Sequence, residues 1–405
     1  MTERKRILFI AEAVTLAHVA RLVALAESLD SHRYEVSIAS DPRYNSLLGQ
    51  LSFPLKSIHT IPAKQFFSAL AQGKAIYGES DLAAYVEEDL GVIDEFRPDV
   101  VVGDFRLSLA VSARLRAVPY ISISNGYWSP YARLQFPVPD ITITRLLGVR
   151  LGQLLFDIGR PIAFSLHSRP MNRVRRNHGL APLASDIREI YTEADYTLYA
   201  DIAELVPTED LPENHQFIGP IAWSPVSPLP EWWGSIPDDR PIIYVTLGSS
   251  GQGNLLPTIL EALEELPVSV IAATAARAPS ARIPENAWVT DFLPGDQAAA
   301  IASLVVCNGG SPTSYQGLMA GKPIIGIASN LDQYLNMSLV QAAGAGKLIR
   351  GGKTSASLVR NTVSEALDDS KMQATAKALS LAIGHYDALA AFEALVRRIL
   401  AARHE

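Results

Sequence analysis

The chain has 405 residues, 48% hydrophobic and 19% charged, and its 42 acidic and 35 basic residues give a formal net charge of -7. That length exceeds one typical core and predicts two domains. The composition excludes a disordered or fibrous chain, and the acidic balance argues against a nucleic-acid binder. In chain order, a basic start at Arg4, Lys5 and Arg6 precedes an apolar run, but Glu12 breaks that run with no clean cleavage site after it. It therefore reads as a buried strand over 7–10 rather than a signal peptide. Leu22, Leu25, Ala26 and Leu29 repeat at helical spacing, and 34–39 reads as a second strand. The pattern recurs as a strand at 99–102, a helix at 107–116 and a strand at 120–123. Strands alternating with helices predict a parallel sheet covered on both faces.

From 141 to 167 the chain carries Leu146, Leu147, Leu151, Leu154, Leu155 and Ile158, with Arg145, Arg150 and Arg160 among them. Pro220, Pro225, Pro228, Pro230, Pro237 and Pro241 then crowd an aperiodic segment. Proline fixes φ and lacks a backbone donor, so 220–240 is expected to be an extended linker. Beyond it the alternation restarts, with strands at 242–247, 268–272, 304–306 and 323–327, a helix at 255–266 and a terminal helix at 386–402. The expected division is an N-terminal domain over 1–219, the linker, a C-terminal domain over 241–385, and a final helix over 386–405 packing back on the first domain. Ligands in such sheets sit beyond the carboxyl ends of the strands, which points to a cleft between the domains. No stretch approaches the ~20 uninterrupted apolar residues of a spanning helix. The single cysteine, Cys307, excludes an internal disulfide and fits a reducing cytoplasm. The protein is expected to be soluble, with peripheral membrane contact left open.

Two loops read as anion sites. Gly248, Ser249, Gly251 and Gly253 lie between a strand and a helix, where backbone N–H groups and the helix dipole favour phosphate, although a plain strand-to-helix turn fits as well. The second loop is more specific: Asn308, Gly309 and Gly310 end a strand, Pro312 and Thr313 suit a helix start, and Gln316 follows on the first turns. Gly321-Lys-Pro323, Asp332, Gln333 and Asn336 come after it. This series resembles the donor-binding signature of the UDP-glycosyltransferase superfamily, which runs His-Gly-Gly, Ser/Thr, an acidic or amide residue, Gly-x-Pro, and Asp-Gln with a following Asn. The resemblance is strongest over 286–346 and extends over nearly the whole chain. It implies an α/β, GT-B architecture of two Rossmann-like parallel-sheet domains facing across a cleft.

Carried onto this sequence, the resemblance implies that Phe292 stacks on the nucleobase and that the Leu293 backbone meets its edge. Gln316 would meet the ribose, while Asp332 and Gln333 would hold sugar hydroxyls. The family histidine that contacts the diphosphate is here Asn308, an amide that donates a hydrogen bond but carries no charge. Upstream, Thr15-Leu-Ala-His18 resembles the family's Gly-His-x-x-Pro run, which makes His18 the candidate base. Asp104, just after a strand, matches the acid that orients it, and a helix N-cap is the competing reading. The segment after 141 would form the acceptor pocket, and its apolar residues suit an apolar acceptor.

The resulting expectation is an inverting, metal-independent hexosyltransferase-type enzyme. It would move a sugar from a UDP- or dTDP-sugar co-substrate to a hydroxyl of an apolar small molecule or lipid, as a monomer or homodimer without other cofactor. No Asp-x-Asp pair follows a strand, so no metal site is expected. Two alternatives stay open: a sugar-nucleotide epimerase or hydrolase on the same scaffold, or a catalytically weak binding protein.

Overall fold

The computed structural model describes residues 4–225, 227–248, 251–275 and 282–402. The chain forms two compact units, the first from Met1–Leu134, Arg150–Trp223 and Tyr386–Glu405, the second from Gln135–Val149 and Ser224–His385. The expectation of a single N-terminal block over 1–219 did not foresee that residues 135–149 go with the second unit. What ties them there is visible in the side chains. Asp140 accepts from the Arg350 guanidinium at 2.8 Å and from the Gly352 N–H at 2.8 Å, and the Val138 carbonyl accepts from Arg350 as well.

The first unit holds a seven-stranded sheet of β1 (Lys5–Ala11), β2 (Tyr34–Ser40), β3 (Leu55–Ser57), β4 (Val100–Asp104), β5 (Tyr120–Ser124), β6 (Tyr196–Tyr199) and β7 (His215–Phe217), in the order β3-β2-β1-β4-β5-β6-β7. Every neighbouring pair is parallel. Its central strands are apolar throughout because helices cover both faces. One face packs Ile7 and Phe9 against Leu22 and Leu25 of the helix Leu16–Glu27 and against Phe392 and Val396 of the terminal helix Ala388–Ala402. Strand order reverses between β1 and β4, where Ala11 pairs with Asp104, so the carboxyl ends of these two strands border an opening.

The helical stretch Thr142–Asn177 is two pieces meeting at Gly148, whose φ of 75° and ψ of 170° only glycine adopts readily. Beyond that joint, Leu151, Leu154, Leu155, Ile158, Ile162 and Leu166 form an exposed row at helical spacing.

The second unit holds a six-stranded parallel sheet of β8 (Ile242–Thr246), β9 (Ser269–Ala273), β10 (Ala287–Thr290), β11 (Leu304–Cys307), β12 (Ile324–Ala328) and β13 (Gly346–Arg350), in the order β10-β9-β8-β11-β12-β13. Its order reverses between β8 and β11, the second switch point of strand order in the chain. The proline-rich segment divides at Trp223, and within it Glu231–Ser235 forms a short 3-10 turn instead of remaining extended.

Candidate active site

At the first switch point, Thr15 caps the helix Leu16–Glu27 and sets His18 on its opening turn. The His18 Nδ1 lies 2.7 Å from Asp104 Oδ1. A carboxylate only accepts, so Nδ1–H donates and the lone pair is left on Nε2. Asp104 is 1% exposed, and both its oxygens also accept from Arg21, Nε to Oδ2 at 2.8 Å and the terminal nitrogen to Oδ1 at 2.9 Å. The helix expected over 107–116 begins at Leu109 with Ser108 at its N-cap, so Asp104 caps nothing. Its carboxylate faces the helix of His18 instead.

Phe105 follows with φ of 56°, a left-handed conformation that costs a side-chain-bearing residue on the order of 1 kcal/mol. Its ring stacks on the His18 imidazole at 5.0 Å and 10° between planes, which limits how the base can turn. Phe66, Tyr77 and Tyr191 gather around Phe105 at 5.2 to 6.4 Å, and Trp128 packs on Tyr191 at 5.2 Å. The wall beside the imidazole is aromatic.

Beneath this wall the Arg106 guanidinium is fully buried over the Tyr85 ring at 3.7 Å and binds Glu12, Glu88 and Asp89 at 3.2, 2.8 and 2.9 Å. Three carboxylates share one cation. Burial pushes the Glu12 carboxyl up to about 7, and the Arg106 charge only partly offsets it.

The second switch point is built from backbone. Gly248 has φ of 58°, and Ser249 lies outside the described residues. Asn308 is 4% exposed, and its Oδ1 accepts from the Gly310 N–H at 3.0 Å. A Cβ added at Gly248 would sit 3.6 Å from the Asn308 Nδ2, so the loops after β8 and β11 touch. Gly309 has φ of 78°, and Gly310 caps the helix Ser311–Met319, which places Thr313 in its first turn and Gln316 one turn on. Asn336 fastens this loop by donating to the Gly309 carbonyl at 2.8 Å and to Ser314 Oγ at 3.0 Å.

Asp332 and Gln333 open the helix Leu331–Ala342. The Gln333 Oε1 accepts from the Ser329 N–H at 2.9 Å, while its Nε2 is buried without a partner. Leu293 is buried and Phe292 half-buried after β10. The loop they open comes back to Gln316, since a Cβ at Gly295 would lie 2.4 Å from the Gln316 Oε1. The second unit thus gathers Gly248, Asn308, Gly309, Gly310 and Thr313 around one helix N-terminus, an arrangement able to receive an anion. Among the described residues, no group of three His, Cys, Asp or Glu side chains is placed to hold a metal ion.

Sequence reasoning missed Arg21, Phe105 and Asn125, whose Oδ1 accepts from Arg21 at 3.0 Å. Only Arg21 left a sequence trace, as a charge on an otherwise Leu/Ala helical face one turn past His18.

Two Rossmann-like parallel sheets on one chain, one with a His–Asp pair at its strand ends and the other with a glycine-lined helix start, have the architecture of GT-B glycosyltransferases. Residues 257–383 match the family described as Erythromycin biosynthesis protein CIII-like, C-terminal domain. The chain is 55% identical over 381 residues to the PGL/p-HBAD biosynthesis rhamnosyltransferase of Mycobacterium bovis (strain BCG / Pasteur 1173P2), covering 94% of this chain and 85% of that protein. It is 51% identical over 384 residues to the PGL/p-HBAD biosynthesis glycosyltransferase of Mycobacterium tuberculosis (strain ATCC 25177 / H37Ra), covering 95% and 90%. Among solved structures, the spinosyn rhamnosyltransferase SpnG complexed with thymidine diphosphate is similar at a TM-score of 0.70 and 19% identity, over 97% of this chain and 100% of that one. The chain belongs to the UDP-glycosyltransferase superfamily and is a glycosyltransferase of the EC 2.4 class.

Proposed function

We propose that the enzyme transfers a sugar, with inversion, from a nucleoside diphosphate donor to a hydroxyl of an apolar acceptor. The observation that carries this reading is the His18–Asp104 bond of 2.7 Å at a strand-end switch point. In the step we assign to it, His18 Nε2 takes the acceptor hydroxyl proton as the oxygen forms its bond to the anomeric carbon. The bond from that carbon to the diphosphate oxygen breaks on the opposite face, and the electron pair leaves with the diphosphate. Asp104 stabilises the imidazolium formed. The backbone donors around Gly309 and Gly310 and the start of the helix Ser311–Met319 would receive the diphosphate charge.

Two features favour an apolar acceptor: the aromatic wall around His18, and the exposed row from Leu151 to Leu166, in which Ile158 and Ile162 are 65% and 63% exposed. The names of the relatives suggest rhamnose as the sugar and PGL/p-HBAD biosynthesis as the setting, and the thymidine diphosphate bound to SpnG suggests dTDP as the carrier. The test is a donor screen: dTDP- and UDP-sugars, each offered with phenolic, macrolide and lipid acceptors, and products read by mass spectrometry. A product heavier than its acceptor by one sugar supports the reading. Free sugar from every donor with no glycosylated product would instead support the hydrolase alternative.

A further inference from the structure

We propose that Arg21 is a positioning residue that sets both the orientation of the His18–Asp104 pair and the pH at which it takes up a proton. The inference rests on His18 being the base. Arg21 is 6% exposed, so its guanidinium comes out of water for a reason that packing alone does not supply. Burial by itself would ease its deprotonation, but the Asp104 charge and their hydrogen bonds outweigh that and hold it above its ordinary value.

The forked contact engages both Asp104 oxygens, at 2.8 and 2.9 Å, leaving the carboxylate one orientation. Within that orientation Oδ1 points at His18 Nδ1. The remaining guanidinium nitrogen donates to Asn125 Oδ1 at 3.0 Å, and the Asn125 amide in turn donates to Asp201 at 3.3 Å. The polar groups facing the pair are therefore Arg21 from its own helix, Asn125 after β5, Asp201 after β6, and Glu12 at the end of β1, whose backbone N–H donates to the Asp104 carbonyl at 3.1 Å. Arg21 is the cation among them.

The consequence for the base is electrostatic. An Asp104 without a counter-cation would place its whole charge on the imidazole, favour imidazolium and occupy the base with a proton before substrate arrives. Arg21 shares that charge, so Asp104 orients the ring while less of its field falls on the imidazole. A structural arginine would leave the pH profile where it is.

The experiment is the pH profile of kcat/KM for wild type, Arg21→Gln and Arg21→Lys, with the affinity for nucleoside diphosphate measured alongside as a check on the folded second unit. Arg21→Gln keeps a planar donor and removes the charge, so its acid limb should move up by about one pH unit. Arg21→Lys keeps the charge and loses the fork, so its limb should stay in place while kcat falls about tenfold. An unmoved limb in Arg21→Gln overturns the proposal. Should that variant fail to fold, Arg21→Lys still decides: a limb shifted like that expected for Gln, or an unchanged kcat, overturns it. His18→Ala in the same series separates the two readings. If that variant keeps its rate, the base assignment fails; if it is inactive and Arg21→Gln titrates as wild type, only the role of Arg21 fails.

Discussion

At the carboxyl ends of β1 and β4, His18, Asp104 and Arg21 satisfy one another before any substrate is present. At the ends of β8 and β11 the working groups are backbone donors, small side chains and amides, and the Gln333 Nε2 is buried with nothing to bond. The contrast follows from what each place must do. A base acts in one geometry, so its partners are held by charged, directional bonds in a dry setting. In the proposed reading a diphosphate brings its own charge, so a site for it would keep donors available and let the ligand complete them. Disturbing the first place should therefore change rate, and disturbing the second should change affinity.

The largest expected effect tests that separation. His18→Ala should lower the transfer rate by about 10²- to 10⁴-fold while nucleoside diphosphate affinity, read by titration calorimetry, stays near wild type. A parallel loss of affinity would merge the two places into one. Next in size is the buried cluster around Arg106. Burial leaves Glu12 binding a proton up to about pH 7 in the folded protein, against its ordinary value of 4.5, with the Arg106 charge offsetting only part of the effect. The folded state thus binds more protons than the unfolded one between those values, and stability falls as pH rises through them. Between pH 5 and 8 the fall should be on the order of 2 kcal/mol, and Glu12→Gln should remove most of it in chemical denaturation curves. A wild-type stability flat over that range would mean that Glu12 is ionised in the fold.

At the donor end, Gly309→Ala must hold a φ of 78° and fit a Cβ 2.6 Å from Met337 Cγ, so diphosphate binding should weaken about tenfold with little change in the pH profile. The smallest effect comes from Asn308→Asp. It retains the oxygen that accepts from the Gly310 N–H but replaces the amide donor with a negative charge, and should cost on the order of 1 kcal/mol of diphosphate affinity. Equal affinity for Asn and Asp would show that this side chain shapes the turn and does not meet phosphate.

Much of the fold is legible because buried parallel strands are short β-branched runs, and runs such as Val100 to Val102 announce themselves. Edge strands such as β3, β7 and β10 escape notice because their half-exposed residues carry no such pattern. The series Asn308, Gly309 and Gly310 was legible as a strand end leading into a helix, and it lies between β11 and the helix Ser311–Met319. Contacts between distant segments left no such sign: Arg21 reaches Asp104 across 83 positions, which no local spacing records. Asp140 illustrates the same limit for the fold, since it is joined to Arg350 across 210 positions.

The helix Ala388–Ala402 carries a consequence for folding. Phe392 is fully buried, with its ring 5.8 Å from that of Phe9, and Leu395, Val396 and Ile399 complete the same core against β1 and β2. The helix Leu16–Glu27 covers part of the apolar face of β1 from close by in the chain, but the rest of that face is covered by the helix Ala388–Ala402. Contacts that distant close late and fold slowly. Until the helix Ala388–Ala402 docks, part of that face has no cover, so the first unit completes its core only with a segment separated from β1 by the whole second unit.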